Sequence, residues 1–147
     1  AADYPSAVLG LGATVVTSKR KVAADQFFTG MFETALAGDE IVTGVEFPVP
    51  KRAGYAKFPN PASRYAMVGV FVSQGADGKV RVAVTGAGSH VFRVPAMEAA
   101  LEKDFSEAAI AGVQLPADNL NEDMHGSAAY RAHLVTVMAK RAVASAK

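Results

Sequence analysis

The chain has 147 residues, half of them hydrophobic and a fifth charged, with a formal net charge of +1. That balance belongs to a globular chain with a core, and the scattered Lys and Arg residues exclude the basic face that nucleic acid or an anionic membrane surface needs. With no cysteine, the chain can hold no disulfide, thiol nucleophile, or cysteine-bound metal or iron–sulfur cluster.

The length suits one ordinary domain, or a small domain with part of another, and a chain of this size hides roughly two-thirds of its unfolded surface. Absence of cysteine fits a cytoplasmic protein. The longest apolar runs fall far short of the ~20 residues that cross a bilayer. The opening Ala1-Ala2-Asp3-Tyr4-Pro5 has neither the basic region nor the apolar core of a secretory signal. It does not begin with Met, so the chain is expected to be a processed or excised piece.

Asp3-Tyr4-Pro5 predicts the start of a short helix: proline suits a first turn, and the Asp3 carboxylate suits the positive dipole end. Gly10 and Gly12 end it, and residues 13–17 read as a strand. Ser18-Lys19-Arg20-Lys21 is a solvated turn rather than a phosphate site, and Val22-Ala23 starts a second extended piece. Residues 24–28 form one helical turn that carries Phe27 and Phe28 inward, and residues 30–36 are ambiguous. Residues 40–47 alternate Ile41, Val42, Val45 and Phe47 as a strand. Pro48, Pro50, Lys51 and Arg52 stop it and mark a domain boundary, with units at 1–50 and 53–147.

The second unit is built on a hairpin. Two apolar runs, 66–72 and 80–85, flank Gly75-Ala76-Asp77-Gly78, whose glycines can take positive φ. The first run is apolar on both faces and predicts a strand covered on both sides; Lys79, Arg81 and Ala83 give the second a wetter face. Residues 54–58 supply a third strand. Helices are expected at 95–101, at 105–113 and after Ser127, where Tyr130, Leu134, Val137, Met138 and Arg141 share one face. The fold class is α+β: a partial subdomain, then a three-stranded antiparallel sheet packed on three helices.

Little in this chain promises chemistry. His90, His125 and His133 lack a zinc-ligand spacing and read as surface packing or caps. Asp118, Glu122 and Asp123 have no apolar pocket beside them to raise a pKa, so a solvated loop and helix capping explain them. Thr85-Gly86-Ala87-Gly88-Ser89 is half of a phosphate-cradling pattern, with Val91 at the sixth position and a proline before the next helix, and reads as a strand-exit bend. Ser63 and Ser89 have no histidine-with-acid neighbours. No catalytic or metal residue is assigned.

The ordered pieces Ala-Asp-Tyr-Pro-Ser-Ala-Val-Leu (2–9), Phe-Phe-Thr-Gly (27–30), Gly-Asp-Glu-Ile-Val-Thr-Gly-Val (38–45), Asn-Pro-Ala-Ser-Arg-Tyr-Ala-Met-Val-Gly-Val (60–70), Val-Thr-Gly-Ala-Gly (84–88) and Tyr-Arg-Ala-His-Leu (130–134) run across nearly the whole chain. Together the chain closely resembles the medium, FAD-binding subunit of carbon monoxide dehydrogenase-type molybdenum hydroxylases, relatives of xanthine dehydrogenase. The resemblance implies an oxidoreductase with three kinds of subunit: a molybdenum-containing large one, an iron–sulfur small one, and this flavoprotein, whose FAD receives electrons. Residues 1–50 would end the second FAD subdomain, and 53–147 would be the C-terminal domain. Two FAD contacts carry over: Asp3, accepting hydrogen bonds from FAD hydroxyls, and Val42, an apolar wall at the flavin. A lysine contact of relatives has no clean counterpart, Lys57 being displaced by a few positions. The family's glycine-rich phosphate loops precede the aspartate and do not occur here, so the chain as given is expected to bind FAD weakly or not at all. Phe27, Phe28, Phe32 and Phe47 are expected to be partly uncovered or paired with another copy. The competing expectation is a stand-alone interaction module without cofactor.

Overall fold

A computed structural model describes residues 2–147. Its central layer is an antiparallel sheet of four strands in the order β6 (Arg52–Pro59), β7 (Ala66–Gln74), β8 (Val80–Thr85) and β9 (Phe92–Arg93). The hairpin between β7 and β8 closes through Gly78 at φ +82°, and Gln74 pairs with Val80 across it. Period-two alternation sends Val68, Val70, Val72, Val80, Val82 and Val84 to one face. There they meet Met97 and Leu101 of α3 (Pro95–Lys103) and Leu134, Val135, Met138 and Ala142 of α4 (Ala128–Ser145). This is the main core.

The opposite face is covered by α1 (Tyr4–Gly10). Gly10 sits against the Phe71 ring, where a Cβ would come within 2.5 Å of the ring edge, and Leu9 packs with Ala83 and Val91. The turn after the helix supplies amides to Ala7 O, Val8 O and Leu9 O, and the sheet adds donors to the last two carbonyls. Ser73 Oγ donates to Gly10 O at 2.7 Å and Arg81 Nε donates to Leu9 O at 2.9 Å. Thus β8 has no wet face: Ala83 is fully buried under α1, and Arg81 is spent on the helix end.

A smaller sheet of three strands has β1 (Thr14–Thr17) between β2 (Lys21–Ala23) and β5 (Val42–Glu46). The single turn α2 (Ala24–Phe27) leads into a hairpin of β3 (Phe28–Gly30) and β4 (Glu33–Thr34), which resolves the ambiguous 30–36 stretch. Phe27 is buried with Val15 and Val22, whereas Phe32 is fully exposed and Phe47 about half exposed, so only part of the expected apolar exposure occurs.

Three further expectations need correction. The sheet gains a fourth strand, β9, too short to leave a sequence pattern. The segment 105–113 forms turns rather than a third helix: only Ile110 is fully buried, with Phe105 and Val113 packed partly against the core, and Ser106 bonds the Asp104 carboxylate and the Ala109 amide instead of extending a helix. The buried face of α4 includes Leu134 and Met138 as expected but is turned toward Arg131 and Val135, leaving Tyr130 and Arg141 exposed and Val137 half-buried. Ser127 does cap the helix, accepting from the Tyr130 amide.

No helix among the described residues is long and apolar enough to cross a membrane.

Candidate functional site

Asp3 occupies the N-cap position of α1, yet its side chain makes no capping bond. The charge stands at the positive dipole end as expected, without a hydrogen bond to the helix. The Asp3 backbone carbonyl takes the capping contacts, accepting from Ser6 N and from Ser6 Oγ at 2.6 Å. The carboxylate turns instead toward β6. Tyr55 Oη donates to Oδ1 at 2.6 Å, and Lys57 Nζ donates to Oδ2 at 2.8 Å. Both partners lie more than fifty residues away in sequence, and strand periodicity puts them on the same face of β6.

Burial acts to raise the Asp3 pKa, but the hydrogen bonds from Lys57 and Tyr55 and the lysine charge outweigh it, holding the carboxyl below its ordinary value. The Tyr55 phenol is pushed up, first by burial and then by its bond to Asp3, so it stays a donor at any physiological pH. An ionised carboxylate offers about four acceptor positions. Two are used here, and the group remains 46% exposed. It can therefore accept from a further pair of hydroxyls arriving from solvent.

Val42, the second residue carried over by resemblance, begins β5 opposite Thr17 and is 44% exposed. It lies in the smaller sheet, a different layer from the β6 strand that holds Asp3. Both residues thus present surface that a ligand can reach. The remaining candidates do not converge. His90, His125 and His133 are all exposed, and no group of three or more metal-type ligands occurs among the described residues. Ser89 Oγ lies 3.0 Å from His90 Nδ1, but no carboxylate hydrogen-bonds that ring among the described residues. Asp123 accepts from the His125 amide and Glu122 from the Ala128 amide, in keeping with the loop and capping roles read from the sequence, and Asp123 also pairs with Arg131 Nη2. Gly86, at φ +80°, makes the bend after β8.

Two buried ionic arrangements carried no sequence signal. Glu40 is buried behind β1: Oε1 accepts from Thr17 Oγ1 at 2.6 Å and Arg20 Nε at 3.0 Å, and Oε2 from Arg20 Nη2 at 3.1 Å and the Ala37 amide at 3.0 Å. Arg131 is 4% exposed and donates to Met67 O, Gly86 O and Asp123. Each fastens a loop to a sheet.

Residues 1–50 match the FAD binding domain in molybdopterin dehydrogenase. Residues 53–146 match the CO dehydrogenase flavoprotein C-terminal domain. These matches define the class: part of a flavoprotein subunit, with a partial FAD-binding domain in residues 1–50. The nicotine 6-hydroxylase medium subunit of Paenarthrobacter nicotinovorans is 36% identical over 99% of this chain and 56% of its own length. The caffeine dehydrogenase subunit beta of Pseudomonas sp. (strain CBB1) is 29% identical over 99% of this chain and 55% of its own length. Among solved structures, quinoline 2-oxidoreductase from Pseudomonas putida 86 superposes with a TM-score of 0.81 at 24% identity, covering 97% of this chain and 55% of that one. Reconstituted CO dehydrogenase from Oligotropha carboxidovorans gives 0.77 at 24% identity over the same shares, which shows a common fold. The chain belongs to the CO dehydrogenase-type flavoprotein (medium) subunits of the molybdenum hydroxylase family, and corresponds to their C-terminal portion. It spans about half the length of the curated relatives it matches.

Proposed function

We propose that this chain completes the FAD site of a molybdenum hydroxylase-type oxidoreductase and docks its partner subunits, with no active site of its own. Residues 1–50 act as the end of the second FAD subdomain, and residues 53–147 as the C-terminal domain. The observation that carries this reading is the Asp3 carboxylate, ionised, fixed from two sides and still open to solvent. That donor–acceptor set fits vicinal hydroxyls such as those of FAD, and Val42 supplies an apolar surface of the kind a flavin ring packs on. When bound, FAD would take up electrons delivered from the metal centres of the partners. This chain's share is to accept the hydroxyl hydrogen bonds at Asp3 Oδ1 and Oδ2 and to exclude water at Val42.

The partners of this reading are a molybdenum-containing large subunit and an iron–sulfur small subunit in the cytoplasm. Nicotine and caffeine, which name two relatives, are both nitrogen heterocycles. A small nitrogen heteroaromatic is accordingly the substrate class for the assembled enzyme, bound on the large subunit.

The test is reconstitution with excess FAD. The full-length subunit should give a stoichiometric flavin absorbance spectrum that Asp3→Asn weakens. The chain as given, which contains neither phosphate-gripping glycine loop, should retain little flavin after gel filtration. A stoichiometric yellow complex of the 147-residue chain would refute the division of labour.

A further inference from the structure

The Tyr55 side chain is seated with unusual care for a residue at the margin of the sheet. Its ring lies beside Phe71, with centroids 6.4 Å apart. Its hydroxyl projects over Gly69 on the neighbouring strand, where a Cβ would stand 2.5 Å from Tyr55 Oη and 2.9 Å from the Thr85 methyl. A Cβ essentially never approaches a heavy atom that closely, so any larger residue at 69 would displace the phenol. Gly69 has no turn to make, since it pairs in register with Lys57 and Thr85 in the middle of the sheet. A glycine in a strand interior weakens the strand, and here it marks a close approach. What it admits is the hydroxyl that donates to Asp3 Oδ1.

The same corner is tied a second time, because Thr85 Oγ1 donates to Ala2 O at 2.9 Å, next to Asp3 in the chain. Residues 2 and 3 are thereby fixed, in backbone and in side chain, by strands of the second unit. Lys57 supplies charge to Oδ2, but its long flexible stem does not define a direction. A rigid aromatic lodged on Gly69 and Phe71 does.

We infer that Tyr55, seated by Gly69, is a positioning residue for the cofactor: it locks the Asp3 carboxylate in the orientation that leaves its remaining acceptor positions facing a ligand diol. This rests on Asp3 as an FAD-hydroxyl contact and adds that the affinity of that contact is set from β6 and β7. Tyr55 does not touch the cofactor in this arrangement; its one hydroxyl proton is already committed to Asp3.

The experiment uses the full-length flavoprotein subunit, stripped of flavin and titrated with FAD by fluorescence across pH. Tyr55→Phe keeps the ring on Phe71 and removes only the donor. It should raise the FAD Kd by roughly five- to tenfold, the scale of one charge-assisted hydrogen bond. It should also move the acid limb of FAD binding to higher pH, because Asp3 loses a bond that favours its ionised form. Gly69→Ala should reproduce both effects, and the double variant should be no worse than the more affected single one. Should Gly69→Ala fail to fold, Tyr55→Phe still decides the matter. If Asp3→Asn weakens FAD binding while Tyr55→Phe leaves affinity within twofold, or lowers it without moving the acid limb, Tyr55 does not position the carboxylate, although Asp3 keeps its role. If Asp3→Asn itself leaves affinity and its pH profile unchanged, both assignments fall.

Discussion

Arg81 Nη2 lies 2.6 Å from Asp25 Oδ1 and 2.7 Å from Oδ2, joining β8 of the second unit to the single turn α2 of the first. Asp25 also accepts from Arg93 Nη1 at 3.3 Å, and Arg93 in turn makes two bonds to the nearly buried Glu98, which caps the Val82 amide. The chain of charges runs from α2 across β8 and β9 to α3. It couples the two units electrostatically where the Pro48–Pro50 connection does so only covalently.

That relationship gives the first prediction. Arg81→Met and Asp25→Asn should each destabilise the protein, and a double-mutant cycle should return a coupling of about 1 kcal/mol, as for a partly exposed pair. Hydrogen exchange should show the loss as faster exchange in α1 and α2, since Arg81 also satisfies Leu9 O. Faster exchange in α4 and none in α1 would contradict it.

Glu40 predicts an acid-sensitive segment. Hydrogen bonds from Arg20, Thr17 and the Ala37 amide, with the Arg20 charge, outweigh burial and lower its pKa from 4.5 to about 2. A carboxyl with a depressed folded-state pKa stabilises the fold above its unfolded value and ceases to do so as pH falls through the folded one. Stability at the β1–β2 tip should therefore decline between pH 4.5 and about 2, and Glu40→Gln should flatten that limb of a pH-resolved unfolding series. An unchanged acid limb in the variant would remove Glu40 from the account.

Arg131 is expected to be among the costliest side chains to lose. Arg131→Met leaves Met67 O without its buried side-chain donor, Gly86 O with only Asn121, and Asp123 without its partner. Breaking a buried charged arrangement from one side costs about 3 kcal/mol, which urea denaturation would register as a lower midpoint. Lys would not substitute, because a single ammonium cannot spread over the three acceptors in a fixed fork.

Phe32 gives a prediction of opposite sign. It is fully exposed and holds φ +58°, in the left-handed region that bulky residues disfavour. Phe32→Asn should raise stability by about 0.5–1 kcal/mol, because asparagine tolerates that conformation and no packing is lost. A lower melting temperature in the variant would show that the aromatic ring has an intramolecular role.

How much of this was legible depends on the reach of each interaction. The β7–β8 hairpin and the Ser127-capped helix were readable because their determinants sit within a few residues of each other: valine alternation, a glycine turn, a serine before an apolar face. On α4, Leu134 and Met138 are buried as their spacing implies, but Arg131 looks like a surface residue until Met67, Gly86 and Asp123 are brought beside it. The wet face assigned to β8 failed likewise, since nothing local to Arg81 announces that α1 lies over it. Asp3 was singled out through family resemblance, yet its partners Tyr55 and Lys57 stayed hidden because pairing across more than fifty residues leaves no periodicity to detect. Lys57, set aside as out of place, holds Oδ2 of that very carboxylate.

The borrowed C-terminus of α1 has a consequence for the order of assembly. A seven-residue helix cannot persist by itself, and its last two carbonyls, Leu9 O and Gly10 O, take side-chain donors from Arg81 and Ser73, in strands that must already be paired. The helix should thus be among the last elements to consolidate during folding, zippering onto a preformed sheet, and Asp3 would reach its bound position only when that step is complete. The Asp3 carboxylate would thus take its place only after the second unit has left the ribosome and closed.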